Sequence, residues 1–76
     1  MRLSDLQLKE VVNIIDGKNL GRIIDAEVNE SGQIQYFVIE KNKMLQKFFS
    51  SNGHILITIK DIKKIGSDVI LVEYIQ

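Results

Sequence analysis

The sequence predicts an all-β fold, a small barrel of about five to six short strands with one short helical turn. Three observations lead there. Hydrophobic residues make up 45% of the chain and isoleucine dominates them, and a β-branched bias of this kind suits strands. The apolar runs are short and are divided by compact turn signals such as "DGKN", "NESG" and "SNGH". Strands spaced this closely in 76 residues favour a barrel or sandwich over βαβ units, and closure would hide their apolar edges.

Each element has a local reason. In "SDLQ", Ser4 and Gln7 stand at capping-box spacing, so a short helical turn is expected from Asp5. It cannot run far, because "VVNII" (11–15) is β-branched. "DGKN" then turns the chain, with Gly17 free to take positive φ. From Arg22, the residues Ile24, Ala26 and Val28 alternate with Asp25, Glu27 and Asn29, the period of a half-buried strand. Gly21 near its start signals a bulge or a close backbone approach. "NESG" closes a hairpin, with Gly32 at the left-handed position. The next strand, "QIQYFVIE", is apolar on both faces: Ile34, Tyr36 and Val38 on one, Phe37 and Ile39 on the other. The first set is read as core-facing. "HILITI" alternates again, "KDIKKIG" is read as one or two helical turns, and "DVILVEYI" is the last strand. The expected core is Ile24, Val28, Tyr36, Val38, Ile57, Ile62, Leu71 and Val72.

Composition narrows the function. The chain is read as one domain over residues 1–76. A chain this short buries only about 60% of its unfolded surface and often needs a staple. Cysteine is absent and histidine occurs once, so disulfides and thiolate metal sites are excluded and no metal or cofactor is expected. Ten basic residues balance ten acidic ones, unlike the strongly basic domains that bind DNA. No apolar run approaches the roughly 18–20 residues that span a bilayer, so a cytoplasmic protein without membrane insertion is expected.

Five blocks in register carry a resemblance: "MRLSDL" at the start, "DGKNLGRIID" (16–25), "SGQI" (31–34), "ITIKDIKKIG" (57–66) and "DVILVEY" (68–74). Together they resemble the PRC-barrel domain, and more narrowly the YlmC/YmxH-type sporulation proteins. The resemblance implies a small β-barrel. It also implies a docking module without catalytic residues, as in the reaction-centre H subunit and the ribosome maturation factor RimM. Three positions depart from the pattern. Leu8 stands where glycine is usual, Glu40 where proline often stands, and Ile59 or Lys60 where tryptophan often falls.

No catalytic residue is nominated. His54 follows a turn at a strand start and is read as a surface histidine, and Asp25 and Glu27 as the solvated face of a strand. The expected partner is a protein of unknown identity. Its contact would be Phe37 and Ile39 with Met44, Leu45, Phe48 and Phe49 of the apolar stretch "MLQKFF". That surface is covered in one of two other ways: "MLQKFF" folds back within one chain to plug the barrel end or cover Phe37 and Ile39, or two chains cover each other as a homodimer through residues 37–49. The alternative is an RNA- or ribosome-associated module. It would use Lys41, Lys43 and Lys47 together with Lys60, Lys63 and Lys64, provided the two clusters share a surface. Nucleic acid ranks below a protein partner.

Overall fold

A computed structural model describes residues 1–43 and 54–75. The elements are α1 (Leu3–Gln7), β1 (Glu10–Asn13), β2 (Asn19–Val28), β3 (Ile34–Lys41), β4 (Ile55–Thr58), a 3-10 turn (Ile59–Asp61), β5 (Ile62–Ile65) and β6 (Val69–Val72). The strands form one six-stranded sheet in the order β4-β3-β2-β1-β6-β5. Every neighbouring pair is antiparallel except β1 and β6, which run parallel. The two edge strands, β4 and β5, are joined by only the three-residue 3-10 turn. The sheet therefore curls into a barrel with a tight corner from β4 to β5, and among the described residues no ladder joins those two strands.

Turn chemistry sets the hairpins. Gly17 and Gly32 have φ of +72° and +83°, as their turn positions require. Asn29 closes the β2–β3 turn twice: its carbonyl accepts from Gly32 N–H, and its side-chain oxygen accepts from Gln33 N–H at 3.0 Å. Gly21 is the close approach that its position suggested. Its φ is +128°, and a Cβ built there would lie 1.9 Å from the Glu40 carbonyl oxygen on β3.

The helical turn starts earlier than "SDLQ" suggests. Arg2 is the N-cap, and its N–H donates to the Asp5 carboxylate at 2.8 Å. Leu8 ends this helix at φ −82°, so the residue that replaces the family's glycine is unstrained. "KDIKKIG" is a second correction. Its helical part is confined to the 3-10 turn, where Asp61 accepts from Thr58 N–H, and Ile62–Ile65 pairs with β6 as a strand.

The core is Val11, Leu20, Ile23, Phe37, Ile39, Ile55, Ile57, Ile70 and Val72, with Leu6, Ala26, Ile62 and Tyr74 packed against it. Ile57 and Val72 meet their expectation. Ile62, Leu71, Tyr36 and Val38 are half-buried, and Ile24 and Val28 are exposed. Phe37 and Ile39 are 3% and 1% exposed, the reverse of the expected phase. The cause lies in β2, where Ile24 is an extra residue opposite the step from Ile39 to Val38. Ile23 and Ala26 therefore both face inward, across from Ile39 and Phe37, and Ile24 is left outside. Asp25 and Glu27 stay on the solvent side, and cross-strand pairing places Val38 and Tyr36 beside them. Burying those carboxylates would cost more than leaving a valine and a tyrosine partly wet.

Alanine at Gly17 meets open space and should cost only the left-handed strain, about 1–2 kcal/mol. Alanine at Gly21 must also displace the β3 backbone and should cost clearly more. Urea unfolding of the two variants measures the difference. Equal losses would mean that β2 and β3 do not approach as closely as described.

Candidate docking face on the outside of the barrel

The register of β2, β3 and β4 defines the outer face in rows. One row runs Asp25–Val38–Leu56, and the next Glu27–Tyr36–Thr58. Beyond them, Val28 and Ile34 are paired and both exposed. At the other end, Arg22 lies opposite Glu40 and within 3.9 Å of Glu10, a surface pair. The face is thus divided. Its β2 side is acidic, and its β3 and β4 side is apolar around Val38 and Leu56. Leu56 is 48% exposed although it lies in the middle of a strand.

This arrangement corrects the nominated contact residues. Phe37 and Ile39 point into the barrel, in the rows Ala26–Phe37–Ile57 and Ile23–Ile39–Ile55, and are sealed by their own chain. The residues on the outer face are their neighbours Tyr36 and Val38, together with Leu56. A signal for this was present in the sequence. Asp25 and Glu27 mark the solvent face of β2, and a hairpin carries that face across to β3. Met44, Leu45, Lys47, Phe48 and Phe49 lie outside the described residues.

The lysines are placed as follows. Lys41 ends β3 and Lys43 follows it, so both lie at the Ile39–Ile55 end of the β3–β4 pair. Lys60 follows Thr58 and lies at the opposite end, beside Tyr36. Three residues of strand separate the two ends, about 10 Å. Lys63 donates to the Lys60 carbonyl and lies 3.6 Å from the Glu73 carboxylate. Lys64 is exposed on β5. The two clusters do not merge among the described residues.

His54 is exposed just before β4, and Asp25 accepts a hydrogen bond from Ala26 N–H. Among the described residues no three His, Cys, Asp or Glu side chains are grouped to hold a metal ion, and no helix is long and apolar enough to cross a membrane. The buried polar side chain there is Asn13, 1% exposed, with its Nδ2 and Oδ1 both hydrogen-bonded.

A family model for the PRC-barrel domain matches residues 1–76. The chain belongs to the PRC-barrel family. It is also 41% identical over 71 residues to a protein of Bacillus subtilis (strain 168) named "Probable sporulation protein YlmC", covering 92% of this chain and 88% of that one. The family agrees with the strand-rich fold and its short helix and 3-10 turn. The two β3 faces of this PRC barrel are both apolar, and only one of them fills the interior.

Truncation separates those faces. Phe37→Ala should cost about 3–5 kcal/mol, as core phenylalanines do, and Leu56→Ala about 1 kcal/mol or less. Chemical denaturation of both variants checks the pair, and a reversed order would invert the assignment of the inner and outer faces.

Proposed function

We propose that this PRC barrel is a non-enzymatic docking module that binds a protein in the cytoplasm of sporulating cells. The contact is the outer face around Tyr36, Val38 and Leu56. One observation carries the reading. Val38 and Leu56 are cross-strand neighbours on the outside of the barrel, where a sheet face turned to water is ordinarily polar. An apolar centre with an acidic flank has the make-up of an interface, with a desolvated middle and a polar rim. The sporulation setting is drawn from the likeness to the Bacillus subtilis protein. The two lysine groups lie at opposite ends of the β3–β4 pair with the apolar residues Val38 and Leu56 between them, which favours a protein partner over RNA.

Photo-crosslinking in sporulating cells tests this directly. A benzophenone amino acid replaces Tyr36 in one strain and the exposed Lys18, on the β1–β2 turn, in another. Protein adducts that depend on position 36 are expected. Adducts with RNA, or equal labelling at both positions, would contradict the proposal.

A further inference from the structure

The two edges of the sheet are guarded differently. A free strand edge invites pairing with another strand, and proteins blunt it with lysine, proline or a bulge. Edge β5 has such guards. Lys63 and Lys64 are exposed there, and the pairing of β5 with β6 is irregular between Ile62 and Lys64. A second β5 placed alongside would bring lysines together, which is destabilising. Edge β4 has none of these devices. Its residues are Ile55, Leu56, Ile57 and Thr58, with no charge and no proline, and its pairing with β3 is regular throughout. Among the described residues no strand pairs with its other side.

We infer that β4 pairs antiparallel with β4 of a second copy, about a two-fold axis at Leu56. The inference goes beyond the reading of the outer face as a docking surface: the second copy takes the free edge of β4, and the outer faces of the two copies join side by side. Pleating restricts the register, because residues directly opposite each other share a face. With the axis at Leu56, that side chain meets its own copy on the outside, and Ile55 meets the partner's Ile57 on the inside. The outer row then becomes continuous across the dimer: Asp25, Val38 and Leu56 of one copy, followed by the same three residues of the other in reverse order. All four central side chains are apolar. The two Asp25 carboxylates end up five strand spacings apart, about 24 Å, well beyond the screening length of about 10 Å. The chain has zero net charge, so no overall repulsion opposes the approach. A second copy is thus an occupant that β4 accepts without like-charge contact, and one that β5 would reject.

Sedimentation velocity on the purified full chain gives the first reading. The wild type should shift from monomer to dimer through the micromolar range. Leu56→Lys should stay monomeric, because it places lysine against lysine at the axis. Leu8→Lys, at a site 75% exposed beside the N-terminal helix, should dimerise as the wild type does. A second variant keeps the test decisive if Leu56→Lys folds poorly. The chain has no cysteine, so Leu56→Cys introduces a single thiol. Directly opposed residues of an antiparallel pair have Cα atoms about 4.5–5.5 Å apart, within the range a disulfide spans. Under mild oxidation by dissolved oxygen, two such thiols lose two protons and two electrons and form one inter-chain S–S bond. Leu56→Cys should link into dimers much faster than Leu8→Cys. A wild type that stays monomeric, or equal linking at positions 56 and 8, would overturn the dimer. Position-specific adducts at Tyr36 with a different protein would still stand in that case, so the two readings can fail separately.

Discussion

The barrel depends on one junction, the parallel pairing of β1 with β6, and that junction is locked by the side chain of Asn13. Without it the sheet falls into two pieces, a four-stranded meander and a two-stranded hairpin. The ladder runs from Glu10 opposite Val69 to Asn13 opposite Val72. The Asn13 carboxamide then extends it by one step. Its Nδ2 donates to the Tyr74 carbonyl at 2.8 Å, and its Oδ1 accepts from Tyr74 N–H at 3.1 Å. This is the exchange that a neighbouring peptide unit would make. The same oxygen accepts from Ile15 N–H, and the Asn13 backbone carbonyl accepts from Gly17 N–H, so the β1–β2 turn and the last strand are tied at one residue. A buried amide whose nitrogen and oxygen are both hydrogen-bonded specifies one arrangement, because any slip leaves polar atoms unpaired in the interior.

Closure at that junction limits what the barrel can hold. Among the described residues nine form the core, drawn from all strands except edge strand β5, whose Ile62 packs against it. Phe37 and Ile39 take the places that β3 contributes. The other apolar set on the same strand, Tyr36 and Val38, lies on the outer side and is half-buried. A chain that keeps Val38 and Leu56 where serine or lysine would be more soluble accepts a cost in solubility, and that cost is explained if a second surface covers them.

Much of the fold was legible in local chemistry. Gly17 and Gly32 announced their turns, and Gly21 announced the close approach of β3. The resemblance carried by five short blocks gave the family. Strand phase in β3 was not legible from β3 itself, because a strand apolar on both faces has no alternation to read. The phase error in β2 came from the bulge at Ile24, which makes one period-two pattern into two halves of opposite phase. "KDIKKIG" misled for another reason: Ile62 and Ile65 are three apart, a spacing that a helical turn and an irregular strand both produce. The β1–β6 pairing joins residues about sixty positions apart and left no local mark, and the same is true of the role of Asn13. Of the candidate site, the strand residues nominated for contact, Phe37 and Ile39, are buried, and their neighbours Tyr36 and Val38 lie on the outer face.

Native-state amide hydrogen exchange on Asn13→Ala is the most direct test of the lock. Each buried group left unpaired costs about 1–3 kcal/mol, so a junction that holds the whole sheet should lower protection at least about tenfold. The loss should reach the slowest amides of β2, β3 and β4, far from the substitution, because those exchange only when the barrel opens as a unit. A loss confined to Ile15, Tyr74 and their immediate neighbours, with the distant strands as protected as in the wild type, would contradict it.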